Sequence, residues 1–227
     1  MGVADSAIRL IGLPFTVSED KRQRLLAKCA SGKVLDIGFV QQPNKYIRQN
    51  PQVTGLVGMD IQEAKLPKGY DGFVKGSIDE KFPIDDASFD TVIAGEVIEH
   101  SRRHVEFVSE IARVLKKGGH FVFSTPNAYN PQWILINMSK KAAVQQIPRK
   151  KFELDHVHLF GQKILQEIMH AFGFKLVSIR PSMFASNIVC DFVLEEKVKL
   201  NPSPYEEGGA RYHKKGSRAG YIDRRST

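Results

Sequence analysis

The sequence predicts an α/β fold: a three-layer sandwich around a mostly parallel seven-stranded sheet that ends in an antiparallel hairpin. Three observations point there. Lys33–Gly38 read KVLDIG and Gly55–Ile61 read GLVGMDI, two short apolar runs that each reach an aspartate. Those aspartates, Asp36 and Asp60, lie 24 residues apart. This suits a buried parallel strand, a crossover, and a second strand with a carboxylate at its carboxyl end. Finally, Phe174–Ile179 and Asn187–Leu194 are strand-like runs with only a short connection, as an antiparallel pair requires.

The elements follow in order. Val17–Ala30 reads as an amphipathic helix, with Ser18 as N-cap and Arg22, Arg24 and Lys28 among its polar positions. Val34–Ile37 is the first strand. Gln41–Asn50 has room for a short helix between Pro43 and Pro51. Leu56–Asp60 and Gly72–Gly76 are the second and third strands, and FPIDDAS (Phe82–Ser88) is a polar loop. Phe89–Ala94 is the fourth strand. Val105, Val108, Ile111, Ala112 and Leu115 recur at helical spacing, and Lys116-Lys117-Gly118-Gly119 stops that helix. His120–Thr125 is the fifth strand. An apolar helical patch follows at Trp133, Ile134, Ile136 and Met138, and another helix spans Gly161–Phe172. Strands alternating with helices imply a Rossmann-like parallel sheet with helices on both faces. The ligand then belongs beyond the carboxyl ends of the strands, near the topological switch.

A chain of 227 residues with 42% hydrophobic content can bury one substantial core. One domain over residues 1–200 is expected, with a substrate-covering insertion at 130–158 and a flexible basic tail at 201–227. No run of about 18 apolar residues suggests a membrane span. The start lacks a secretory pattern, although MGVADS matches the loose myristoylation motif. Cys29 and Cys190 have no CxxC partner and read as reduced core thiols, which suits the cytoplasm. The net charge of +8 is local: it resides in Ser139–Lys151 and in the tail. Such runs can hold an anionic substrate, touch a membrane surface peripherally or meet nucleic acid; they can also be a solvated face.

VLDIG, GMDI, FPIDDASFDTVIAGEVIEH, EIARVLKKGGHFVFSTPN and DHVHLF, in this order and spacing, resemble the class I S-adenosylmethionine-dependent methyltransferases. The branch that modifies small molecules is the nearest in pattern. The resemblance spans about Gly32–Leu194. It implies that Asp36 and Gly38 form the first cofactor motif, with Gly38 letting the backbone pass close to the methionine moiety. The family's further glycines are missing: Phe39, Val40 and Gln41 stand in their place. Asp60 matches the acid that holds the ribose hydroxyls, the alternative being a helix N-cap. Ile61 would flank the adenine, Ser77 and Ile78 (with Asp79) occupy the loop that reads its edge, and Glu96 lines the cofactor near the methyl-transfer point.

His100 can take a proton from a substrate hydroxyl near neutral pH, since an unperturbed imidazole has a pKa of about 6.5. It can equally serve loop backbone. His156 and His158 in DHVHLF point the same way if the segment is extended, and either could hold substrate or assist proton removal. A third and fourth ligand are not evident, so no metal is expected.

The expectation is therefore an S-adenosyl-L-methionine-dependent methyltransferase that O-methylates a small or glycan- or lipid-linked acceptor, anionic if the basic runs contact it. Three alternatives stand beside it. A cofactor-binding protein without catalysis would suit the altered glycine motif. A nucleic-acid methyltransferase would suit the basic runs, but AGEV replaces the tetrapeptide used on nucleobase amines, so nucleic acid is not the expected partner. A dinucleotide oxidoreductase needs GxGxxG, which GFVQQP lacks. The acceptor and the oligomeric state are not legible.

Overall fold

The computed structural model describes residues 19–63, 65–129, 160–181 and 187–198. Seven strands form one sheet: β1 (Gly32–Ile37), β2 (Val53–Asp60), β3 (Gly72–Lys75), β4 (Phe89–Gly95), β5 (Leu115–Pro126), β6 (Phe174–Pro181) and β7 (Asn187–Leu194). Their order is β3-β2-β1-β4-β5-β7-β6. The first five run parallel, and β7 lies antiparallel between β5 and β6. The expected fold and its hairpin are both present. The chain reverses its direction of travel across the sheet between β1 and β4, so the switch point lies where β1 meets β2 on one side and β4 on the other.

The inner strands β1, β4 and β7 and the second half of β5 are largely apolar because both sheet faces are covered there. Successive side chains enter different cores. Leu35, Val92, Ala94, Phe121, Phe123, Cys190 and Phe192 join one cluster with α2 (His104–Val114) and α3 (Gln162–Ala171). Val34, Ile93, Val122 and Val189 join the other, with Leu26 and Ala27 of α1 (residues 19–28). Phe107 anchors α2 edge-on to both Phe82 and Phe121. A fully buried ring of this size is worth roughly 1.5–3 kcal/mol. No described helix is long and apolar enough to cross a membrane.

Two expectations need correction. The regular alternation is thinner than predicted. Between β1 and β2 there is only a 3₁₀ turn, Ile47–Gln49, and no helix is seen among the described residues linking β2 to β3 or β3 to β4. Pro43 and Pro51 clip the first segment, and Pro67 and Pro83 fall inside the other two. The polar loop of residues 82–88 is ordered by Arg113 of α2 instead. Its guanidinium donates to the carbonyls of Phe82 (3.0 Å) and Ile84 (2.7 Å) and to Asp86 (2.7 Å). The second correction concerns β5, which starts at Leu115, five residues before the predicted His120. Leu115 pairs with Phe89, the Gly118–Gly119 turn bulges out with Gly118 at φ +79°, and pairing resumes at His120 and Thr91.

Phe39 follows β1 and is 1% exposed. Its ring lies against β2 at Gly58, where a Cβ would come within 2.5 Å of it. Gly58→Ala is therefore expected to cost about 1–3 kcal/mol through overpacking. Combining it with Phe39→Leu should recover part of that loss, so the two substitutions should be non-additive in urea denaturation. Strict additivity would show that ring and glycine do not share one space.

Candidate active site

The site grows from the turn after β1. Gly38 has φ +78°, and its N–H donates to the carbonyl of Met59 (2.9 Å). A Cβ there would meet Val97, beyond β4, at 2.8 Å. Glycine is thus required both by the backbone angle and by the close approach of the β4 loop. Beyond Phe39, the Val40 N–H donates to Oδ2 of Asp60 (3.1 Å), while the Gln62 N–H donates to Oδ1 (2.9 Å). No helix follows β2 among the described residues, and Asp60 bridges two strand-end turns. A carboxylate has about four acceptor positions, so each oxygen can still receive a hydroxyl. Ile61 beside it is 64% exposed.

One strand over, Asp36 is buried and accepts a short hydrogen bond from the Tyr70 hydroxyl. Burial raises its pKa to about 7, against the opposing pull of Tyr70, the Asn44 N–H and the Arg22 charge. Asp36 shares a narrow crevice with Arg22, Gly38, Gln42, Asn44 and Gly95. The enclosed space is about 20 Å³, enough for roughly one water.

The tip of β4 closes the other side. Glu96 adopts φ +57°, and its N–H donates to the carbonyl (3.0 Å) and hydroxyl (3.2 Å) of Ser124. Its Oε2 accepts from Asn187 Nδ2 (2.6 Å), and Oε1 lies 3.8 Å from Arg22 Nη1. Arg22 Nη1 also donates to Ser124 Oγ (2.9 Å) and Nη2 to Gln42 (3.0 Å). Glu99 is fully buried on the turn Ile98–His100. Burial first, and then the charge of Glu96, push its carboxyl well above the usual range. His100 ends that turn, half-buried. Past β3, Ile78 packs on the core. Asp79 accepts from the Ser101 hydroxyl (2.8 Å) and the Arg102 N–H (2.9 Å), and the Ser77 hydroxyl accepts from the Asp79 N–H (3.2 Å). Asp79 thus ties the β3 loop to the chain beyond His100. His156 and His158 lie outside the described residues. The ends of their interval meet, however, because Asn127 bridges to Phe160 beside the carboxyl end of β5.

A family model described as a methyltransferase domain matches residues 15–179. The chain belongs to that family. A protein of Mycolicibacterium smegmatis described as a probable S-adenosylmethionine-dependent methyltransferase is 34% identical over 109 residues, 46% of this chain and 42% of that protein. A ubiquinone biosynthesis O-methyltransferase of Yersinia pestis is 27% identical over 125 residues, 52% of each chain. The chain spans about half the length of the curated relatives it matches. Among solved structures, the Haloferax volcanii methyltransferase crystallised with the Trm112 activator superposes with TM-score 0.61 at 15% identity, covering 82% of this chain and 95% of that one. YcgJ of Bacillus subtilis gives 0.57 at 16% identity, covering 77% and 98%. At such identities the likeness is one of fold.

Within this methyltransferase domain, the strand order sets β3, β2, β1 and β4 side by side. Ser77, Ile78, Asp60, Ile61, Asp36, Gly38 and Glu96, drawn from four stretches of sequence, therefore share one edge, with His100 on the turn after β4. Sequence reasoning missed four neighbours: Arg22, Tyr70, Ser124 and Asn187. Arg22 had been placed on the polar face of its helix, yet it is 5% exposed. Its spacing to Leu26 and Ala30, four and eight residues on, put it on the buried stripe. Tyr70 and Asn187 gave no local signal, since their partners are remote in sequence.

Because the folded pKa of Asp36 lies above its unfolded value, the native state holds the extra proton between about pH 4 and 7. Stability from this group is present at low pH and is lost as pH rises through 7. Asp36→Asn removes the buried charge. It should therefore be relatively more stabilising at about pH 8 than at about pH 5, by roughly 1–3 kcal/mol in chemical denaturation. A difference of zero or of opposite sign would mean that Asp36 stays ionised.

Proposed function

We propose that this chain transfers a methyl group from S-adenosylmethionine to the hydroxyl of a small or glycan- or lipid-linked acceptor. The observation that carries the reading is Asp60. Its carboxylate is fixed by two backbone N–H groups at the tip of β2, retains acceptor capacity, and stands next to the switch point. There it would accept both ribose hydroxyls, with Ile61 against the adenine face and Ser77 and Ile78 near its edge. Gly38 lets the backbone approach closely. The crevice at Asp36 offers one carboxylate to the ammonium of the amino-acid end. Its small volume suits a charged group, and the bulk of the ligand would lie across the strand tips. The Oε1 atom of Glu96 has no hydrogen-bond partner among the described residues and lines the same edge.

The bound cofactor supplies an activated methyl group on a sulfonium, so no covalent enzyme intermediate is needed. The protein's share is alignment, exclusion of water and removal of the acceptor proton. His100, beside the tip of β4, is the candidate base, with His156 and His158 in the interval rooted at Asn127 and Phe160. The basic run at 139–151 in that interval favours an anionic acceptor. The O-methyltransferase relative supports oxygen as the methylated atom. The alternative of a non-catalytic binder drew on the bulk of Phe39. That ring packs beside β2 and not across the tips, which weighs against it.

Isothermal titration with S-adenosylmethionine and S-adenosylhomocysteine tests the reading. Asp60→Ala should weaken both by about tenfold or more, near 1.4 kcal/mol or above. Mass spectrometry of extracts incubated with labelled cofactor then identifies the acceptor. Undetectable binding to the wild-type chain, or unchanged affinity in Asp60→Ala, would overturn it.

A further inference from the structure

Tyr70 has no part in the roles above, yet it is placed with unusual care. It is 8% exposed, in the turn that leads into β3. Its N–H donates to the Pro67 carbonyl (3.2 Å). The next residue is locked to β2: the Asp71 N–H donates to the Leu56 carbonyl (2.7 Å), and Asp71 Oδ2 accepts the Leu56 N–H (2.8 Å). Its ring lies 5.1 Å from that of Phe39, which also meets Phe73 edge-on at 5.7 Å. Phenylalanine would fill the same volume. The hydroxyl is the only part that needs tyrosine, and it donates to Asp36 Oδ2 at the crevice. Burial and the neighbouring carboxylate keep the phenol protonated, so it is the donor of that bond.

We propose that Tyr70 is a positioning residue for the cofactor: held by Phe39 and by its own pinned backbone, it aims the Asp36 carboxylate into the crevice toward a cationic group of the ligand. This rests on the cofactor reading above. The charged and titratable groups facing Asp36 are Tyr70 from the β2–β3 turn and Arg22 from α1, with the Asn44 N–H beside them. Glu19 and Glu96 stand on other sides of the Arg22 guanidinium. The hydrogen bond from Tyr70 favours the charged carboxylate, so its loss makes Asp36 harder to ionise.

The test uses two probes. S-adenosylhomocysteine carries an ammonium group, whereas 5′-methylthioadenosine has the same nucleoside without the amino-acid end. Tyr70→Phe should weaken S-adenosylhomocysteine about three- to tenfold and leave methylthioadenosine within about twofold, consistent with the loss of one hydrogen bond to a charged group. The rise of S-adenosylhomocysteine affinity with pH should move to higher pH in this variant. In an Asp36→Asn background, Tyr70→Phe should have no further effect. Should Tyr70→Phe fail to fold, Tyr70→His, which keeps a ring N–H donor facing Asp36, should hold S-adenosylhomocysteine affinity within about threefold while Asp36→Asn loses it selectively over methylthioadenosine. Equal losses on both probes, or additive effects with Asp36→Asn, would overturn the proposal while leaving the cofactor reading intact. Binding of neither probe by the wild-type chain would sink that reading and the proposal with it.

Discussion

The packing of Phe39 against Gly58 is the constraint on which the site depends. The chain leaves β1 at Gly38 with a positive φ and must at once place a bulky side chain. Because β2 carries glycine at the contact, the ring can lie flush against the strand. That single seating has two consequences. It brings the Val40 N–H over the tip of β2, where Asp60 accepts it, and it backs the ring of Tyr70, whose hydroxyl meets Asp36. The two aspartates that mark the sequence are thus held by partners on opposite sides of one aromatic residue.

The electrostatics of the edge follow from how few cations it contains among the described residues. Arg22 is a buried cation near Asp36, Glu19, Glu96 and Glu99. One guanidinium cannot neutralise every one of these carboxylates in a region shielded from water. The deepest acids are pushed up: burial raises Asp36 to about 7, and burial and then the charge of Glu96 push Glu99 well above the usual carboxylate range. Such strain is costly to the fold, and buried charges of this kind are weak evidence for stability. A ligand ammonium beside Asp36 would relieve it, by adding a cation where carboxylates outnumber Arg22. The unfavourable charge arrangement and the proposed ligand thus account for each other.

Much of this was legible from residues alone. The apolar runs fixed the parallel strands, since strands buried on both faces carry few polar residues, and the two aspartates marked the strand tips. The short connection Arg180–Ser186 announced the antiparallel pair. Contacts that join distant stretches were not legible. Arg22 reaches Ser124 across about a hundred residues, and Asn187 reaches Glu96 from the last strand. Neither has a sequence period that reveals it. Helix content was overestimated in the links after β1, β2 and β3, because alternation was expected to be uniform. Prolines in these links, at residues 43, 51, 67 and 83, interrupt it.

Phe39 shows why a motif is better read as a set of volumes than as a string of letters. In the resemblance, a small residue after Gly38 keeps the turn clear, and a bulky one there threatens the ligand's path. In this chain the volume is exchanged between strands: a phenylalanine in the loop is matched by a glycine in β2. Only a Cβ-free position allows a ring to pack against strand backbone at that distance. Reading residue 39 alone suggests a blocked pocket; reading it together with Gly58 predicts a ring laid aside. The bulky residue after Gly38 is therefore accommodated by a glycine on the partner strand, against which its ring lies.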